Sequence, residues 1–95
     1  MARRRLLSEK EIRARLGDVP RWRRKGRRIA RTWTFEDFPQ ALAFINRVGQ
    51  VAEEANHHPD IENSWATVTL SLMTHDVGGL TDRDFDLARA IDGLV

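Results

Sequence analysis

At Phe38-Pro39 the hydrophobic period of the chain changes, and that switch limits what it can fold into more than any other feature. Before it, Ile29, Arg31, Trp33 and Phe35 alternate with Ala30, Thr32 and Thr34, the period of two expected of a strand with one core face. After it, Ala41, Leu42, Ile45, Val48, Val51, Ala52 and Ala55 recur every three or four residues, the stripe of an amphipathic helix. Pro39 suits the first turn of that helix. Its end is expected near Asn56, because the histidine before Pro59 is disfavoured in the helical region.

The flanking segments extend the pattern. Ser8-x-x-Glu11 reads as the capping box of a short helix containing Ile12 and Leu16 and stopped by Gly17 and Pro20. Trp22 to Arg28 predicts a short strand and a turn centred on Gly26, forming a hairpin with the next strand. Later, Val68, Leu70 and Leu72 point one way and Thr67, Thr69, Ser71 and Met73 the other. Asp60 to Trp65 is the expected hairpin partner, although the turn between them lacks a Gly or Asn-Gly signal. His75 to Leu80 reads as a glycine-bearing loop, and Thr81 with Asp84 opens a last helix lined by Phe85, Ala88, Ile91 and Leu94. The order α–β–β–α–β–β–α, with hairpins in place of βαβ crossovers, predicts an α+β fold with helices on one face of an antiparallel sheet.

Ninety-five residues allow one domain and one modest core. Residues 1–95 are read as that domain, with 1–7 a flexible basic arm. Cysteine is absent, which excludes disulfides, thiolate metal sites and thiol nucleophiles. The basic start runs straight into Ser8-Glu9-Lys10-Glu11 without an apolar stretch, so the expectation is a soluble, cytoplasmic protein that does not enter a membrane. Charge is unevenly placed. Residues 1–31 hold 13 Lys/Arg and 3 Asp/Glu, a net of +10, whereas 32–95 hold 3 and 11, a net of −8. Nucleic acid is not the expected partner, because the basic segment offers no aromatic stacking platform apart from Trp22; charge balance across the fold or across subunits is preferred.

The chemistry-bearing residues fall at element ends. His57-His58 lies where the long helix stops and His75 where a strand stops, places where a rigid scaffold holds functional side chains in loops. Glu53 precedes His57 by four residues, so on a continuing helix the two share a face. Asp84 reads first as a cap partner of Thr81, Asp76 as a turn residue and Trp65 as core. A metal site is awkward, because adjacent side chains such as His57 and His58 diverge. A serine–histidine nucleophile would need a G-x-S-x-G elbow, which is missing. General acid–base catalysis by histidine needs only groups that exchange protons near neutral pH, and it leads the three.

Glu53-x3-His57-His58-Pro59, five residues, Trp65, nine residues, His75, eight residues and Asp84 together resemble the signature of pterin-4a-carbinolamine dehydratases. Trp33-Thr34-Phe35-x-Asp37-Phe38, Thr74-His75-Asp76 and Gly79-Leu80-Thr81 are similar to the same family, so the likeness spans essentially the whole chain. The resemblance implies three helices on a four-stranded antiparallel sheet, and dehydration of 4a-hydroxytetrahydropterin to quinonoid dihydropterin, which regenerates the cofactor of aromatic amino acid hydroxylases. It implies that the pterin is the substrate, that no cofactor or metal is needed, and that the chain forms homodimers or homotetramers. It implies His57 and His75 as acid and base, with His58, Pro59, Trp65, Thr74 and Asp76 around the ring, Glu53 orienting an imidazole, and Asp84 supporting the His75 loop. The alternative is a non-catalytic binding or assembly module on the same fold.

Overall fold

The computed structural model describes residues 5–95, with elements in the expected order: α1 (Glu9–Leu16), β1 (Arg23–Lys25), β2 (Arg28–Thr34), α2 (Phe38–Ala55), β3 (Asp60–Ser64), β4 (Thr67–Leu72) and α3 (Asp82–Asp92). The strands form one antiparallel sheet in the order β1-β2-β4-β3, so the two hairpins join through β2 and β4. Among the described residues, no helix is long and apolar enough to cross a membrane.

Local chemistry sets the boundaries. Ser8 and Glu11 close a reciprocal capping box on α1, and Thr81 and Asp84 close one on α3. Asp37 caps α2 by accepting from the Gln40 amide at 2.9 Å. That helix stops at Asn56, which adopts a left-handed conformation with φ 51°. Gly26, at φ +61°, turns the first hairpin. The second hairpin turns at Trp65, also left-handed, and Asn63 holds the turn by donating to the Trp65 and Thr67 carbonyls at 3.0 and 3.1 Å.

The helices cover the face of the sheet that carries Ile29, Trp33, Val68, Leu70 and Leu72, all buried, while Thr32 and Thr34 point away and are exposed. Phe44 stands at the centre of the core, 4.8 Å from the Trp33 ring and 5.1 Å from Phe35, and Trp22 meets Trp33 edge-on at 5.7 Å. Phe44 replaces Leu42 in the expected buried stripe of α2. The buried line is Ala41, Phe44, Val48 and Ala52; Leu42, about 100° round the helix from Ala41, is exposed, as is Ala55. Arg31 keeps its place on the core face by covering the rim: its guanidinium lies 4.4 Å from the Trp33 ring and donates to Asp92 at 2.6 Å.

Part of the charge asymmetry is answered by pairs that cross the fold. Arg15 meets Asp82 and Asp86, Arg28 meets Asp60, and Arg31 meets Asp92. Arg24 pairs with Glu9 and Arg5 with Glu11. The expected flexible arm divides accordingly. Residues 1–4 lie outside the described residues, whereas 5–7 are held: Arg5 forks onto Glu11, and Leu7 buries its side chain in the core and donates its amide to the Leu80 carbonyl. An apolar side chain that reaches the core and a partnered amide leave that stretch little reason to stay loose.

Candidate active site

The end of α2, the end of β4 and the start of α3 converge at one end of the molecule. β3 begins with Asp60 opposite Ser71, so His57, His58 and Pro59 lie at the end of β4 that leads on to Thr74 and His75. The left-handed turn at Asn56 redirects the chain as it leaves the helix, and His57, 8% exposed, is buried at its exit.

Asp84 is the hub. Its Oδ1 lies 2.6 Å from His57 Nε2, and its Oδ2 accepts from the Thr74 hydroxyl at 2.9 Å and the Thr81 amide at 3.0 Å. The side chain is fully buried. Because the one Thr74 hydroxyl hydrogen goes to the carboxylate, the Thr81 hydroxyl donates to Thr74 across their 2.8 Å contact and accepts from the Arg83 amide. An ionised Asp84 requires the hydrogen on Nε2 of His57. The neutral ring then has its lone pair on Nδ1, the tautomer of a ready proton acceptor. One carboxylate thus caps a helix, fixes the tautomer of His57 and ties down the residue before His75.

Beyond Thr74 the chain makes a tight turn: the Thr74 carbonyl accepts from Gly78 at 2.9 Å, and Thr74 and Gly79 bond reciprocally as an isolated bridge. His75 and Asp76 are exposed on this turn. A cavity of about 200 Å³ opens beside His57, lined also by Ala55, Arg83, Asp86, Leu87 and Ala90. It includes neither His58 nor His75. Among the described residues, no group of three His, Asp or Glu side chains is disposed to hold a metal ion.

The family model described as pterin 4 alpha carbinolamine dehydratase matches residues 5–94. The chain belongs to that family. It is 52% identical to a protein of Roseiflexus castenholzii provisionally named pterin-4-alpha-carbinolamine dehydratase, over 95% of this chain and 97% of that one. A Nocardia farcinica protein with the same provisional name is 54% identical over 94% of each chain. The crystal structure of a transcriptional coactivator/pterin dehydratase from Brucella melitensis superposes with a TM-score of 0.90 at 29% identity, covering 95% of this chain and 98% of that one. A pterin dehydratase-like protein described as a RuBisCO assembly factor of the alpha-carboxysome shares the fold, with a TM-score of 0.66 at 22% identity over 77% of this chain and 87% of that one.

Within this pterin dehydratase fold three expectations change. Glu53 pairs with His58 at 2.5 Å, both exposed, and not with His57, because the left-handed residue at 56 breaks the helical spacing. Thr74 is buried with its hydroxyl committed to Asp84, which makes it part of the frame. Trp65 is neither core nor a wall of this site. It is 72% exposed at the β3–β4 turn, and Ser64 opposite Thr67 puts that turn at the far end of β4 from His75. Six extended residues separate the two ends by about 17 Å or more. Pro59 is partly buried beside His58.

Sequence reasoning missed Arg83. Its Nη2 donates to the Asn56 carbonyl at 2.6 Å and reaches the Ala55 carbonyl at 3.5 Å, placing a cation at the C-terminus of α2. The last turn of α2 contains no basic residue of its own, and that lack was the available signal.

Proposed function

We propose that this protein eliminates water from 4a-hydroxytetrahydropterin to give quinonoid dihydropterin, returning the pterin cofactor of aromatic amino acid hydroxylases to use. The observation that carries the reading is the buried Asp84 carboxylate, which links His57 to the stem of the loop bearing His75. Membership of the dehydratase family supports it.

In the reaction, an imidazolium gives its proton to the 4a-hydroxyl oxygen, and the carbon–oxygen bond breaks with its electron pair leaving as water. A neutral imidazole takes the proton from the neighbouring ring nitrogen, whose N–H electron pair becomes the new carbon–nitrogen double bond. His57 and His75 divide these two roles. His58, oriented by its hydrogen bond to Glu53, positions the ring, with Pro59 and Asp76 at its border. The pterin is the substrate, and the scheme uses no resident cofactor or metal. Assembly into homodimers or homotetramers in the cytoplasm belongs to the same proposal.

Stopped-flow dehydration of a carbinolamine pterin tests it. His57→Ala and His75→Ala should each slow dehydration by about 10²–10⁴-fold with the fold intact. A wild-type protein without dehydratase activity, or a double alanine variant with full activity, overturns it. The first of these results would favour a binding or assembly module on the same fold.

A further inference from the structure

We infer that Leu6 is a positioning residue for His75, and that Leu6-Leu7 straps down the far limb of the loop that carries it; the catalytic consequence rests on the dehydratase reading above. The loop has two limbs. The near limb is fixed by Thr74, whose hydroxyl is held by Asp84. The far limb, Gly78-Gly79-Leu80, is anchored in the core by Leu80 but begins with two residues that have no side chain to hold them.

The strap adds a second hold on the glycine pair. Leu7 donates its amide to the Leu80 carbonyl at 2.9 Å. Leu6 packs so closely on Gly79 that a Cβ there would stand 2.7 Å from Leu6 Cδ2. Gly78 needs to be glycine for its backbone, at φ +71°, but Gly79 is not in the left-handed region. Its missing side chain leaves room for Leu6 to lie directly against the loop backbone. The constraint passes onward through paired backbone bonds, Thr74 amide to Gly79 carbonyl at 2.9 Å and Gly79 amide to Thr74 carbonyl at 3.3 Å, which close the loop one residue before His75. The strap is itself secured, since Arg5 Nη1 and Nη2 each donate to Glu11 at 3.0 Å and the Ser8 amide donates to the same carboxylate at 2.8 Å.

Leu6 is 51% exposed, so its side chain contributes little as core. Its contact falls on a loop whose histidine must meet the reacting atoms within hydrogen-bond reach. A misplacement of about 1 Å at such a group costs on the order of 10²-fold in rate.

The experiment compares wild type, Leu6→Ala and Leu6→Met as full-length chains, reading kcat and KM for dehydration, the thermal midpoint, and amide hydrogen exchange by NMR. Leu6→Ala should lower kcat by roughly tenfold or more, with KM and the thermal midpoint little changed. Exchange should quicken at Val77, Gly78 and Gly79 and stay constant in β2 and β4. Leu6→Met, which restores a long apolar side chain, should recover most of kcat and loop protection. Unchanged kcat and unchanged exchange in Leu6→Ala overturn the inference, as does a loss of kcat that follows the thermal midpoint equally in both variants. If wild type does not dehydrate the pterin at all, the dehydratase reading fails by itself, and exchange at the loop still decides whether Leu6 sets it.

Discussion

His57 and Thr74 are bonded to opposite oxygens of one buried carboxylate, that of Asp84, at 2.6 and 2.9 Å. Neither bond can be altered without the other responding, and the variants that follow exploit that coupling.

Asp84→Asn preserves the shape but cannot accept at both positions. If its carbonyl stays with Thr74 and Thr81, its NH2 faces His57 Nε2, and the ring hydrogen must move to Nδ1. Dehydration should fall by about 10²-fold or more, with ¹⁵N NMR reporting the changed tautomer. Asp84→Ala should be worse for stability, because it orphans three buried donors at about 1–3 kcal/mol apiece. A His57 ring still carrying its hydrogen on Nε2 in the asparagine variant contradicts the assignment.

Arg83→Ala removes the cation and hydrogen-bond donor at the end of α2. Urea unfolding should show a loss of about 1 kcal/mol, and activity should drop further than stability because His57 follows directly. Asn56→Gly should be tolerated at the left-handed position, whereas Asn56→Val should cost about 1–2 kcal/mol there.

Strong acid should loosen the start of α1. The Arg5 guanidinium, followed by the Ser8 amide, holds the Glu11 carboxyl down from 4.5 to about 2. A depressed carboxyl contributes stability that is complete above its unfolded pKa and is lost as pH falls through the folded one. The contribution of Glu11 should therefore disappear between about pH 4.5 and about 2. Carboxyl ¹³C titration should place its midpoint near the lower figure, and Glu11→Gln should flatten stability over that window. A midpoint near 4.5 would mean that the Arg5 fork does not form in solution.

Phe44→Ala should cost about 3–5 kcal/mol, a large share of the stability of a domain this small. Leu42→Ala, two residues from Phe44 on the exposed side of the helix, should cost well under half as much in the same chemical-denaturation series.

Much of this molecule is legible in its residues. Two capping boxes and one change of period place every helix, and the alternation from Ile29 to Phe35 names the core face of β2. What escapes is whatever depends on partners distant in sequence. Asp84 reads correctly as a cap, but its second oxygen's neighbour lies 27 residues back, where no local rule reaches. Leu42 and Phe44 compete for one stripe, and only the side from which the sheet approaches decides between them. Trp65 has the composition of a core residue, yet the pairing of β3 with β4 carries it to a turn. Leu6 is a second such case, since nothing in an arginine-rich start announces a contact with Gly79.

The ion pairs and the indole hydrogen bond that tie the first third of the chain to α3 also bear on synthesis. Arg15 finds Asp82 and Asp86, and both Arg31 and Trp22 find Asp92, across sequence separations of 61 to 71 residues. During synthesis these arginines therefore emerge 61 to 71 residues ahead of the carboxylates that pair with them. Contacts of such long range close slowly, so these guanidinium groups stay open to any nearby polyanion until α3 has been made and has docked.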